Sequence, residues 1–464
     1  MGIAVSNWKL ARAVSAAGQL GVVSGTALDT VLVRRLQDGD IGGDVRRAME
    51  HFPIPGVAEQ VLHRYFQANG RGPGVPYKLL PMYKQQVSIA RQQVTMLANF
   101  VEVYLAKEGH TGLVGVNLLT KVQMPNLHSL YGAMLAGVDY VLMGAGIPRE
   151  IPGVLDALAE HRSTSIRLDV EGAAADSVEL LHFDPSLHWS GTPPTLTRPK
   201  FLAIVSANSL ATTLARRSTG TVDGFVVEGP TAGGHNAPPR GTLRLDERGQ
   251  PLYGERDVVD LAKMRELGLP FWLAGGTGSP VALQQALAAG AAGVQVGTLF
   301  AYCDESGLDE YIRHSVIEGV LDGRVDIDTN PLASPTGYPF KVVQMAGLGT
   351  QNDTRTRICD LGYLRTAYKR EDGKLGYRCS AEPVDSYVAK GGAEEDTKGR
   401  RCLCNGLTAN VGQAQVRAGG DVEAPLVTSG DDLLAMQSFL DGRTSYAALA
   451  VSEYLKSGAA VTIA

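Results

Sequence analysis

Short apolar runs alternate along the first part of the chain with stretches whose apolar residues recur at helical spacing. The runs are "GVVSG" (21–25), "LVGVNLL" (113–119), "YVLMG" (140–144), "FLAIVS" (201–206), "GFVVEG" (224–229), "FWLAGG" (271–276) and "GVQVGT" (293–298). Each is nearly continuous in apolar residues, which predicts strands of a parallel sheet covered on both faces. The stretches between them, such as "MPNLHSLYGAMLAG" (124–137) and "SPVALQQALAAG" (279–290), predict helices. Strand and helix in alternation give repeated βαβ units. Seven strands are one short of a (β/α)8 barrel; ahead of a helix carrying Leu10, Ala13, Val14 and Ala17, the eighth could close with only Met1–Val5, but so little of a strand is present there that the favoured expectation is a trimmed start. On that expectation the strand lies in residues upstream of Met1.

Three segments interrupt the alternation. Residues 38–110 predict a long helical insertion, 164–198 a hairpin, and 242–260 a polar, turn-rich loop. Beyond residue 345 the pattern stops. The expected organisation is a barrel over 1–345, a cysteine-containing loop-rich segment over 346–412, and terminal helices over 413–464.

With 464 residues, 44% hydrophobic and 20% charged, the chain can bury a large core without staples. A net charge of -5 with mixed signs gives no reason to expect nucleic acid or an anionic membrane as partner. No apolar stretch approaches the ~20 residues of a membrane-spanning helix. The N-terminus lacks a signal peptide's features, so a cytoplasmic location is the default. A small-molecule substrate is the expected partner, and a homo-oligomer is left open.

The strongest chemical signal is "LAGGTGSPVALQQALAAG". A strand ends at Ala274, Gly275, Gly276 and Gly278 form a loop, Ser279 fits an N-cap, and Pro280 fits the first helical position. Exposed amides and a helix dipole attract an anion. Gly297–Thr298 end the next strand. In eight-stranded barrels the loops after strands seven and eight form the usual phosphate site. No G-x-G-x-x-G or G-x-x-x-x-G-K-[ST] motif offers a Rossmann or P-loop alternative.

The second signal is "VVEGPTAGGHNAPPRG" (226–241). Gly233 and Gly234 clear side chains away and let a planar ring approach the backbone. His235 follows them on a loop at the strand's C-terminal end, where barrel enzymes carry catalytic groups. Asn117 near the end of one strand and Glu228 at the end of another, in the same ring of positions, can meet a ligand there. The other histidines fall in helices, turns or hairpin edges.

In their fixed order, "MGIAVSNWKLARAVSAAGQLGVVS", "GVNLL", "VDGFVVEGPTAGGH", "LAGG" and "GVQVGT" resemble the nitronate monooxygenase family, once called 2-nitropropane dioxygenases, over about residues 1–345. The resemblance implies an FMN-binding (β/α)8 barrel. It implies that Met1 and Gly2 line the flavin through their backbone, and that Asn117, Glu228 and Gly233 contact it. Gly275–Gly276 and the run Gln295, Val296, Gly297, Thr298 would hold the phosphate, and the catalytic histidine falls on His235. The implied reaction is oxidation of alkyl nitronates by O2 to carbonyl compounds and nitrite. Two features depart from the family. It usually has a strand before the "MG" turn. The "GGHNAPPRG" and the insertions look more like the flavin-dependent enoyl reductases, whose substrate would be an enoyl thioester with NAD(P)H. A flavin- or metal-binding accessory subunit without turnover is a further alternative.

Five cysteines is an odd and sparse count, which argues against a disulfide framework. Cys359, Cys379, Cys402 and Cys404 crowd a segment with little apparent core of its own. Four thiols there suggest zinc or an iron–sulfur centre, against free thiols as the alternative. Cys303 reads as a core or loop thiol.

Overall fold

All seven apolar runs form strands of one parallel sheet. In this computed structural model, which describes residues 2–174, 176–348 and 354–458, they are β1 (Gly21–Ser24), β2 (Val114–Leu119), β3 (Tyr140–Gly144), β4 (Lys200–Val205), β5 (Gly224–Glu228), β6 (Phe271–Ala274) and β7 (Gly293–Gln295). They lie side by side in chain order. The period-two alternation of a strand sets the two faces. Leu142, Leu202, Val226 and Ala274 point inward and make their own small core. Their neighbours Val141, Phe201 and Phe225 point outward into the main core shared with the helices. Inward residues from all seven strands line one central cavity, so the sheet is curled around it.

No strand forms at Met1–Val5 among the described residues. Residues 2–6 form turns, and Met1 lies outside the described residues. Ser6 is tied to β1 instead, its hydroxyl donating to the Val22 carbonyl at 2.6 Å and its carbonyl accepting from Ser24 N–H at 2.9 Å. Gly2 and Ala4 both have positive φ, and a segment bent in that way cannot continue a ladder. β1 and β7 therefore have one paired edge each, on β2 and β6. Leu10, Val14 and Leu20 face Leu283, Leu287 and Val294 across this seam, and it is continuous with the central cavity. Helix Trp8–Ala16 forms where expected, with Asn7 as N-cap. Its predicted apolar face is only partly covered: Val14 is half-buried because it looks onto the seam. Helix Ala448–Ser457 packs between Trp8–Ala16 and Pro280–Ala288 and backs the seam from outside.

The predicted interruptions hold recognisable elements. Residues 38–110 include helices Asp44–Met49, Val57–Tyr65 and Ile89–Lys107. Thr164–Leu168 pairs with Glu179–Phe183 as an antiparallel hairpin. The polar loop after residue 241 is turns, with a short bridge between Leu245 and Pro251. The two terminal helices run Asp432–Leu440 and Ala448–Ser457. No described helix is long and apolar enough to cross a membrane.

The cysteine-containing segment has more core than its composition suggests. Leu361, Tyr363, Cys402 and Cys404 are buried with Ile3, Ala27 and Val31 in one cluster. A buried polar knot anchors it. Asp29 meets Arg91 at 2.7 Å and accepts from Thr95 at 2.9 Å and from the Tyr363 hydroxyl. Tyr363 also lies 2.7 Å from the Thr30 hydroxyl. Burial alone would raise the Asp29 carboxyl, yet the Arg91 charge and these hydrogen bonds hold it below the usual carboxylate range. Asp29→Ala leaves Arg91 buried without its partner and should cost about 3–5 kcal/mol, whereas Asp29→Leu with Arg91→Met should cost less than the single change. Denaturant unfolding of the three proteins measures the difference.

Candidate active site

The C-terminal ends of the strands carry the polar residues singled out above. Asn117 on β2 and Glu228 at the end of β5 both line the cavity, which has a volume of about 550 Å³. That is within the ~300–1,000 Å³ of small-molecule and cofactor sites. Its lower wall is the apolar interior of the sheet. Gly2, Gly233, Gly234 and His235 line its upper part. Gly275 and the run Gln295, Val296, Gly297 and Thr298 line it from the last two strands; Gly276, next to Gly275, is not part of the wall.

The glycine loops are built as their sequence requires. Gly275 and Gly276 have φ of +89° and +67°, the left-handed region that glycine adopts without strain. A Cβ on Gly275 would stand 2.7 Å from the Ala232 nitrogen. Ser279 caps helix Pro280–Ala288, accepting from Ala282 N–H, with Pro280 at the first position. Among the described residues the N–H groups of Gly276 and Gly297 have no acceptor. Two unpaired donors near one helix N-terminus make an anion cradle.

His235 sits on the turn after β5. Its Nε2 is 2.7 Å from the Ser334 hydroxyl, which is itself 2.8 Å from the Thr336 hydroxyl. Phe340 packs edge-on against the imidazole at 4.9 Å between centroids. Burial lowers the imidazole's proton affinity to a pKa of about 4, so the ring is neutral near pH 7. Burial acts in the opposite direction on Glu228, whose carboxyl is pushed up to about 7. One group that is usually half-protonated near neutrality is thus held neutral, and one that is usually ionised titrates there.

Several residues of the site escaped the sequence reading. Phe340 opens the second strand of an antiparallel pair, Asp326–Asn330 with Phe340–Gln344, and Ser334 lies in their connection, which reaches His235. The turn residues in "SPTGYP" between two alternating runs were the available signal. Residues 428–432 contribute from the far end of the chain. Gly234 N–H donates to Thr428 at 2.9 Å, and Gly430 N–H donates to Thr298 at 2.9 Å. Asp432 accepts from Gly278 N–H at 3.2 Å. Burial pushes the Asp432 carboxyl above its ordinary value. An acid beside the glycine loop works against an anion in the cradle unless it is protonated. No local pattern in the sequence pairs these distant segments.

The cysteines are distributed as follows. Cys303 is fully buried in a second core cluster with Tyr302 and Phe439. Cys359, Cys379, Cys402 and Cys404 form no disulfide among the described residues. Among the described residues no three His, Cys, Asp or Glu side chains are grouped to hold a metal ion, so the expectation of zinc or an iron–sulfur centre finds no support.

Residues 191–354 match the family model described as nitronate monooxygenase. A protein of Staphylococcus saprophyticus named "Probable nitronate monooxygenase" is 27% identical over 176 residues, which are 37% of this chain and 47% of that protein. The match therefore spans about half the length of that curated relative. Among solved structures, FabK from Thermotoga maritima is similar with a TM-score of 0.47 at 15% identity, over 98% of this chain and 88% of that one. Nitroalkane oxidase from Streptomyces ansochromogenes gives a TM-score of 0.45 at 14% identity, over 99% and 93%.

The raised Glu228 has a measurable consequence. Its folded pKa lies above its unfolded one, so stability falls as pH rises from about 4.3 to 7 and then levels off. Glu228→Gln should therefore stabilise the ligand-free protein by about 1–3 kcal/mol at pH 8 and by little at pH 4. Denaturant unfolding at the two pH values checks the sign.

Proposed function

We propose that this chain, whose residues 191–354 match the nitronate monooxygenase family model, is an FMN-dependent oxidoreductase that oxidises alkyl nitronates with O2. The carrying observation is the convergence on one cavity of His235, Glu228, Asn117 and the glycine loops at Gly275 and Gly297, the latter with an unpaired amide. On this reading the seven-stranded sheet is the greater part of a (β/α)8 barrel.

The residues present fit FMN. The Gly276 and Gly297 amides suit a phosphate, and the apolar interior suits a flat ring system. Asn117 supplies an amide for a heterocycle's polar edge. Gly2, Gly233 and Gly234 leave the ring's approach clear. Bound there, FMN supplies the electron transfer between substrate and O2.

The protein's own contribution is orientation and charge. His235 is held in place by Ser334 and Phe340. As a neutral imidazole it can donate one hydrogen bond to an anionic nitro group. A base with a pKa of about 4 is poorly suited to taking an α-proton from a neutral nitroalkane. The substrate that needs no such base is the preformed nitronate. An anion in the cavity would also raise the imidazole's proton affinity and strengthen that hydrogen bond. The products on this reading are a carbonyl compound and nitrite.

The purified chain should be yellow and release FMN on denaturation. Oxygen uptake should depend on added nitronate and exceed that with the neutral nitroalkane. His235→Ala should reduce kcat/KM by roughly 10²-fold. NAD(P)H consumption that depends on an enoyl thioester, with no nitronate-dependent oxygen uptake, would replace this reading with an enoyl reductase. Asp432→Asn should tighten FMN binding several-fold at pH 8, because it removes a negative charge beside the phosphate cradle. Fluorescence titration of the apoprotein with FMN measures that change.

A further inference from the structure

The chain beyond residue 345 gives the main cavity an apolar wall of its own. Leu364 lines the cavity from a turn, and Leu403 and Leu407 line it from helix Leu403–Ala409. Leu119 at the end of β2 and Val122 in the turn after it complete this wall. Phe340 joins it to His235. The phenyl ring packs edge-on against the imidazole. It is also buried in one cluster with Leu403, against which Leu364 and Leu407 pack. The same two leucines pack against a second cluster, which holds Val122 and Tyr363. The wall therefore begins at the imidazole and leads off into the C-terminal segment.

This wall offers little to water. Two polar side chains that the segment adds to the cavity are engaged elsewhere. The Tyr363 hydroxyl meets Asp29 and Thr30. The Asn410 amide exchanges two hydrogen bonds with the backbone of Leu426, at 2.8 and 3.0 Å. Cys404, also on the wall, acts as a small hydrophobe. Leu364 and Leu407 are only half-buried, although their chain neighbours Tyr363 and Thr408 are buried. Apolar surface left bare inside a fold favours an apolar occupant over water.

The glycine turns, Asn117 and Glu228, which suit the cofactor, take no part in this wall. A row of aliphatic side chains leading away from the imidazole suits a flexible chain of methylenes. We propose that Leu364, Leu403 and Leu407, with Leu119 and Val122, hold a linear aliphatic chain attached to the reacting group of the substrate. Residues outside the sheet then set the chain length that the site prefers. The inference rests on the reading of His235 as the residue that meets the reacting group. An alkyl nitronate and an enoyl thioester can both carry such a chain, and the nitronate is the source favoured here.

The test uses the full chain supplied with excess FMN. Calorimetry gives Kd for the neutral 1-nitroalkanes from nitroethane to nitrooctane. Each added methylene should lower Kd about two- to fourfold, as expected for burying one CH2 group, until the wall is covered. Leu407→Trp fills part of this space and should nearly abolish the gradient. Leu187→Ala, at an exposed leucine outside the cavity, should keep it. Should Leu407→Trp fail to fold, Leu364→Phe and the gradient of the unaltered chain decide. A Kd indifferent to chain length, or a gradient that the folded Leu407→Trp protein retains, overturns the inference. Oxygen uptake with the matching nitronates is read on the same sample, and so is NAD(P)H oxidation with enoyl thioesters of the same chain lengths. Nitronate turnover with a flat Kd series removes this inference and leaves the nitronate reading. A gradient lost in Leu407→Trp, without nitronate turnover, does the reverse, and thioester turnover then identifies the chain as an acyl group.

Discussion

Two backbones meet above the cavity with no room for a side chain between them. A Cβ on Gly233 would stand 2.7 Å from the Gly430 nitrogen, and one on Gly430 would stand 2.8 Å from the Thr231 carbonyl oxygen. This contact joins the turn that carries His235 to a segment some two hundred residues later. The hydrogen bonds Gly234–Thr428, Gly430–Thr298 and Asp432–Gly278 radiate from it. They link the imidazole's turn to both glycine loops, so the upper half of the site depends on one place of close approach. Rigid support of this kind gives a catalytic group a defined position.

The lower half rests on the curled sheet and its unpaired edges. A parallel sheet exposes hydrogen-bonding groups wherever an edge is left open, and proteins usually cover such edges. Here the cover is indirect. The N-terminal turn holds the top of β1 through Ser6, and helix Ala448–Ser457 spans the outside. The seam between them keeps its apolar lining and merges with the central cavity.

The sheet was legible in the sequence because parallel strands buried on both faces need continuous apolar runs, and these are hard to mistake for anything else. The helix start at Ser279–Pro280 was legible for a local reason also: caps are written in a few adjacent residues. Asn117, Glu228 and His235 could be found because the ends of parallel strands gather at one mouth. The turn at residues 2–6 was not legible, since "MGIAV" has strand composition and only the positive φ angles at Gly2 and Ala4 reveal the bend. Ser334 and Asp432 were missed because their roles arise from contacts across about a hundred residues or more. The cysteine segment seemed to lack a core because its partners, Ile3, Ala27 and Val31, lie at the other end of the chain.

The knot of Asp29, Arg91 and Tyr363 bears on the order in which the chain assembles. An aspartate and an arginine near the N-terminus are buried beneath a tyrosine more than three hundred residues later. Arg34 likewise donates to the carbonyl of Gln413. A nascent chain emerging from the ribosome cannot complete this interior until most of the polypeptide has been released. Until then its early helices carry charged groups on a face meant for the inside. Such contacts of large sequence separation make folding slow, and they give the early helices a long exposure during which chaperones have the opportunity to bind.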